Sequence, residues 1–204
     1  MIKNLLFDFG DVFINLDKKA PEQALAKMGI RTIDDEMTTW HNRYEKGLIT
    51  SDQLTENYLN KFPQLTALSF QQAWNSIILD FPQNRLDWII DLAKTKKYRL
   101  FLLSNTNDLH IEQVIKNMGA VRYSQFQNCF ERFYLSQQIN LRKPDLEIYD
   151  FVLRTDDLLA NETLFIDDTI LNTAAASSMG FHTWHLEPGF EEVTQLFKVK
   201  EELF

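Results

Sequence analysis

Three aspartates in this 204-residue chain stand where an apolar run gives way to polar residues, and a lysine precedes the last of those runs. Leu5-Leu6-Phe7 leads into Asp8-Phe9-Gly10-Asp11-Val12, and Leu100 to Leu103 leads into Ser104-Asn105-Thr106-Asn107. Leu164 to Ile166 leads into Asp167-Asp168-Thr169, and Arg142-Lys143-Pro144 precedes that third run. These residue types suit one reaction, attack of a carboxylate on a phosphate monoester to give an aspartyl-phosphate. Nucleophile and substrate are both anionic, so such a site needs a divalent cation and fixed donors. Asp8 would be the nucleophile. Magnesium prefers oxygen ligands and keeps several waters, so Asp8, the Gly10 carbonyl and a carboxylate from Asp167 or Asp168 would hold it. Ser104, Asn105 and Lys143 would take the phosphoryl oxygens, with the ammonium as compensating charge.

Each group has a plainer reading. An aspartate, serine or asparagine after a strand is good helix-capping chemistry, and a lysine before proline is ordinarily a solvated loop residue. Convergence decides between the readings. The short apolar runs are too brief for helices and read as buried parallel strands, with Phe181 to Leu186 as a further candidate. Between them lie segments with helical spacing, such as Leu86, Ile89, Ile90 and Ala93, then Ile111, Val114, Ile115 and Met118. Alternating strand and helix predicts an α/β fold, a Rossmann-like parallel sheet with helices on both faces. In such a sheet ligands bind beyond the carboxyl ends of the strands, where all four groups fall.

Residues 17–84 contain no strand-like run. Helix-forming blocks over 21–28, 32–46, 51–61 and 69–79 are punctuated by Gly29, Gly47 and Pro63, with Ser51 and Ser69 as expected N-caps and Asp34 near a helix start. This predicts a four-helix cap inserted after the first strand, with residues 1–16 and 85–204 forming the core domain and 191–204 a terminal helix.

Twenty-one Lys and Arg against 29 Asp and Glu leave a formal charge of −8, against the basic face that a nucleic-acid binder needs. No run approaches the roughly 18 apolar residues of a membrane span, and the first apolar stretch is too short for a signal peptide. The lone Cys129 forms no internal disulfide, which fits a reducing compartment, the cytoplasm by default. The expected partner is a small phosphate ester; the composition leaves the oligomeric state open.

Taken together, Asp8-Phe9-Gly10-Asp11-Val12, Leu103-Ser104-Asn105-Thr106-Asn107, Arg142-Lys143-Pro144 and Phe165-Ile166-Asp167-Asp168 resemble the four ordered motifs of the haloacid dehalogenase-like (HAD) hydrolase superfamily. Phe7 to Val12, Leu103 to His110, Tyr134-Leu135-Ser136 and Tyr44 to Ile49 look like a bacterial branch that includes α-D-glucose-1-phosphate phosphatases. The resemblance implies Asp8 as nucleophile, Asp168 as the direct magnesium ligand, and Asp167 as a ligand or a support for one. It also implies a supporting polar role for Asn172, whose alternative is an exposed helix asparagine.

One departure stands out. Most phosphatases of this superfamily carry a second aspartate two residues after the nucleophile to protonate the leaving group, and this chain has Gly10 there. Asp11 is one residue too far, since successive residues of an extended segment face opposite ways. The expected activity is therefore a magnesium-dependent phosphomonoesterase for a small metabolite such as a sugar phosphate. The alternatives are a phosphomutase, a binding protein that has lost catalysis, or a metal-independent dehalogenase. Trp40, Tyr44 and Trp74 are expected to pack the inserted helices, and His41, His110, His182 and His185 show no metal-ligand spacing.

Overall fold

A computed structural model describes residues 1–204. Five strands form one all-parallel sheet in the order β3-β2-β1-β4-β5: β1 (Asn4–Phe7), β2 (Arg99–Ser104), β3 (Arg132–Leu135), β4 (Thr163–Asp167) and β5 (His182–His185). The central runs are continuous in apolar character because both faces of a parallel sheet are covered. The pleat sorts them: Leu5, Phe7, Leu100, Leu102, Leu164 and Ile166 enter one core, whereas Leu6, Phe101, Leu103 and Phe165 enter the other. α5 (Gln83–Thr95), α6 (Asp108–Met118) and α7 (Ala120–Gln127) cover the first face, and α9 (Leu146–Thr155) and α10 (Ile170–Ser178) the second.

Four helices lie between β1 and α5: α1 (Ala20–Lys27), α2 (Asp35–Glu45), α3 (Ser51–Lys61) and α4 (Ala67–Asn75). They enclose a cluster of their own containing Leu25, Met37, Tyr44, Leu54, Tyr58 and Phe70, into which only Leu109 of α6 intrudes. The chain enters and leaves this layer through two segments held side by side, with Asp17 N donating to Ile77 O (2.9 Å), Leu79 N to Asn15 O (3.1 Å) and Asn15 N to Asp80 O (2.9 Å).

Several boundaries differ from expectation. Asp34 does cap α2, accepting from Met37 N at 2.9 Å. Ser51 and Ser69 are not the caps; Thr50 and Thr66 are, because each forms a reciprocal pair with the residue three positions on, Gln53 and Ser69. α4 stops at Asn75 because the following residues are taken up by the paired linker. The terminal helix over 191–204 is reduced to α11 (Leu196–Val199) between two 3₁₀ turns. Glu191 is spent on Trp184 Nε1 and Glu192 on Arg85, so the segment is held by its side chains and not by a continuous helical ladder. β3 was not anticipated; it is short, lies at an edge and begins with an exposed arginine.

Candidate active site

All four sequence groups arrive at the carboxyl edge of the sheet. Asp8 follows β1 directly, its N–H still donating to Ile166 O at 2.8 Å. Ser104 ends β2 and Asp167 ends β4, while Lys143 comes from the loop between α8 (Ser136–Ile139) and α9. The Lys143 ammonium is wholly buried, 2.8 Å from Asp8 Oδ1 and 2.7 Å from Asp167 Oδ2, and 5.4 Å above the Phe165 ring. Burial opposes its charge, but Asp167 and Asp8 more than offset that, and its pKa lies above the ordinary lysine value. Burial pushes Asp8 up to about 7; Lys143 works against this, and Asp167 and Asp168 add to it.

The two adjacent carboxylates differ in what they touch. Asp167 is fully enclosed: Oδ1 accepts from Thr169 N (2.8 Å) and Asn172 Nδ2 (3.0 Å), and Oδ2 takes Lys143. Asn172 is therefore not an exposed helix asparagine; it is buried and aims its amide at Asp167, with its carbonyl accepting from the Tyr149 hydroxyl at 2.9 Å. Asp168 faces a cavity of about 470 Å³ that is also lined by Asp8, Gly10, Lys18, Glu45, Asn105, Arg142 and Lys143. Burial raises its pKa against the pull of Lys18, whose ammonium bridges Asp168 and Asp11.

Asn105 lines that cavity, but its carboxamide is engaged by the main chain of Lys143, donating to the carbonyl and accepting from the N–H, both at 2.8 Å. It fixes the lysine loop. Ser104 is buried at the end of β2 and is not among the residues that line this cavity. Asp11 adopts a left-handed conformation (φ 53°), and its carboxylate accepts from Leu16 N and pairs with Lys18. Leu16 Cδ1 would lie 2.7 Å from a Cβ at Gly10, so the space a side chain would use there is occupied.

Ligand oxygens of Asp8, Asp167 and Asp168 lie within 4.8 Å of one another. Asp8 and Asp168 face the cavity and Asp167 lies enclosed behind them, so hard oxygen donors of the kind magnesium takes meet at this edge. The histidines are not grouped as metal ligands: His110 stacks on Trp74 (5.5 Å, 22°) and bonds Asn107, and His185 donates to the Asp168 carbonyl from 3.0 Å. Tyr44 is buried, and Trp40 and Trp74 pack against the core of the inserted helices, as expected.

A family model for haloacid dehalogenase-like hydrolases matches residues 6–185. The chain belongs to this family. A curated D-ribitol-5-phosphate phosphatase of Bacteroides thetaiotaomicron is 30% identical over 195 residues, covering 93% of this chain and 94% of that protein. A sesquiterpene phosphatase of Aspergillus oryzae is 26% identical over 189 residues, covering 90% and 89%. Among solved structures, the magnesium complex of a HAD-family enzyme from Bacteroides thetaiotaomicron superimposes with a TM-score of 0.86 at 34% identity, covering 97% of this chain and 98% of that one. An aspartate-to-alanine variant of that enzyme, bound to magnesium and inorganic phosphate, gives a TM-score of 0.84 at 32% identity, covering 97% and 99%. This HAD protein is a phosphatase for a phosphorylated small molecule, and no helix in it is long and apolar enough to cross a membrane.

Two features of the HAD site were not foreseen from the sequence. Lys18 reaches Asp168 across 150 positions, and nothing in the polar stretch around it marks it out. Glu45, at the end of α2, pairs with Arg142 beside the buried lysine, Nε at 3.0 Å and Nη2 at 2.9 Å. Next to it Lys46 pairs with Asp145 (2.7 Å), and Asn140 Nδ2 donates to Lys46 O (2.7 Å). The Arg-Lys-Pro motif was the available signal, since an arginine held next to a buried lysine needs an acidic partner.

Proposed function

We propose that this HAD phosphatase hydrolyses a small polyol or sugar phosphate with magnesium, through an aspartyl-phosphate on Asp8. The observation that carries the reading is the buried ammonium of Lys143 between Asp8 and Asp167, beside a cavity that Asp168 also faces. A lysine so placed orients Asp8 and leaves positive charge where a phosphoryl oxygen would sit. Asp8, Asp168 and the Gly10 carbonyl would hold magnesium, with Asp167 either a further ligand or, as its enclosure by Lys143, Thr169 and Asn172 favours, the anchor of the lysine. The metal supplies, when bound, the charge that lets an anionic ester approach an anionic nucleophile. Asn105 acts by holding the Lys143 loop. Residues 17–84 serve as a cap over the cavity, and their contacts choose the leaving group.

The polyol or sugar class is supported by the similarity to a D-ribitol-5-phosphate phosphatase and by the adjoining cavity, of about 290 Å³, where the rings of His41, Tyr58, Trp74 and His110 stand beside the charged groups of Lys18, Glu22 and Glu45. The test is phosphate release from D-ribitol 5-phosphate, glucose 1-phosphate, other pentose and hexose phosphates and an aryl phosphate, with magnesium or chelator, in the parent and in Asp8→Asn. Metal-dependent release lost in Asp8→Asn is expected, with a five- or six-carbon ester preferred. Release that survives the substitution would refute the mechanism.

A further inference from the structure

Both halves of the proposed reaction need a proton moved at neutral pH. The departing ester oxygen must gain one, and the attacking water must lose one. The residue two positions past Asp8 is a glycine, and Asp11 is turned onto Leu16 N and Lys18. Among the other titratable groups on the cavity, Lys18 is held protonated by Asp168 and Asp11, Lys143 is enclosed by Asp8 and Asp167, and Asp168 belongs to the metal cluster. Glu45 remains. Both contacts with Arg142 fall on its Oε2, and no hydrogen bond of the protein uses Oε1. Glu45 also lines the second cavity, with His41, Tyr58, Trp74 and His110, so its carboxyl stands where the phosphate chamber opens into the chamber of the inserted helices. That junction is where the bond between phosphorus and the leaving oxygen must lie if each end of the substrate fills its own chamber.

We propose that Glu45, oriented by Arg142, is the general acid and base of this enzyme; the proposal rests on the phosphatase reading above. In the first step an Asp8 oxygen bonds to phosphorus as the bond from phosphorus to the leaving oxygen breaks, and the Glu45 carboxyl gives its proton to that oxygen. In the second, water bonds to phosphorus, its proton passes to the Glu45 carboxylate, and the bond from phosphorus to Asp8 breaks. Phosphate leaves with both side chains restored. Burial raises the Glu45 pKa against the pull of Arg142 and Lys143, which favours a carboxyl that is protonated before substrate reacts.

The test is rapid-quench kinetics on the full chain with magnesium, comparing an alkyl phosphate with a nitrophenyl phosphate, in the parent, Glu45→Gln and Glu45→Asp. Glutamine still accepts from Arg142, so the pairing that spans α2 and the lysine loop survives. Glu45→Gln is expected to lose about 10²- to 10⁴-fold on the alkyl ester and far less in the first turnover of the nitrophenyl ester, whose leaving group needs no proton. It should show a burst of one nitrophenol per enzyme while acid-stable label accumulates on Asp8. Glu45→Asp keeps a carboxyl and should retain more of the alkyl rate. Equal losses on both esters with no burst and no accumulated label would overturn the proposal and leave Glu45 a structural partner of Arg142. A parent enzyme that never labels at Asp8 would instead bring down the phosphatase mechanism itself.

Discussion

Replacing Lys143 with methionine separates what the buried charge does for the fold from what it does for the reaction. At an effective dielectric near 20, each contact at 2.7–2.8 Å corresponds to about 6 kcal/mol of gross attraction. Most of that is offset by the cost of burying three charges, so the pair is a weak net stabiliser while both partners are present. Removing the cation alone leaves Asp8 and Asp167 facing one another, and a buried pair broken in this way typically costs about 3–5 kcal/mol. With an m-value near ~2.5 kcal/mol/M, the urea midpoint should fall by about 1–2 M. Asp8 loses the group that most lowers its pKa, already pushed up to about 7, so a larger share of it is protonated at neutral pH. On the proposed reading, in which Lys143 also holds a phosphoryl oxygen, its loss should cost roughly a further 10²–10³-fold in kcat/KM. The assay is urea unfolding in chelator beside phosphate release in magnesium, for the parent, Lys143→Met and Lys143→Arg. Arginine should not rescue, because the ammonium has no exposed surface and its site has no room for a guanidinium fork. A midpoint within about 0.3 M of the parent, or kcat/KM within about threefold, would refute the reasoning.

Asp8→Asn should be inactive yet no less stable than the parent in chelator at pH 7. The folded carboxyl titrates near 7 against 3.8 for an ordinary one, so the folded state holds the extra proton and ionised Asp8 costs stability as the pH rises between those values; urea midpoints at pH 5 and 7 should converge in the variant. His41 and His110 are pushed down to about 4 by burial, against 6.5 when exposed. The unfolded chain therefore binds protons first as the pH drops, and the stability lost between pH 6.5 and 4 should shrink in His110→Phe when unfolding is followed across that range. Gly47 has φ 63°, and a Cβ there would lie 2.1 Å from Gln137 O, so Gly47→Ala should lower the melting midpoint and slow phosphate release by displacing Glu45 and Lys46 from the lysine loop. Equal melting points for the two proteins would count against that close approach.

The parallel sheet was legible because a strand buried on both faces must be apolar at every position, and Leu5 to Phe7, Leu100 to Leu103 and Leu164 to Ile166 leave no other reading. The polar residues that follow each run then had to meet at one edge. β3 escaped notice because an edge strand of four residues that starts at an exposed arginine carries only half of that signal. The helix starts were misplaced by one to three residues where two hydroxyl-bearing residues competed, and the winner was the one able to pair with Gln53 or Ser69 three positions on. Asn172 was ambiguous because its burial depends on how α10 docks onto β4, which no local pattern encodes. Glu45 and Arg142 lie 97 positions apart and meet only once α2 rests on the lysine loop.

The charges at the sheet edge carry the argument for a cation beyond the family likeness. Asp8, Asp11, Asp167, Asp168 and Glu45 face or border the cavity, against Lys18, Lys143 and Arg142, so five carboxylates meet three basic groups and two negative charges stand uncompensated when all are ionised. A phosphate dianion entering that field would be repelled, whatever the shape of the cavity. The protein's own remedies are partial: Asp8, pushed up to about 7, is only partly ionised at pH 7, and burial raises the pKa of Glu45. A divalent cation held by Asp8 and Asp168 would cancel the deficit and favour the ionised form of Asp8, and on the proposed reading Glu45 would then keep its proton until the ester oxygen departs. Metal should therefore precede substrate, and inorganic phosphate should bind far more weakly to the chelated protein than to the magnesium-loaded one; calorimetry showing equal affinity in both would break this chain of reasoning at its first link.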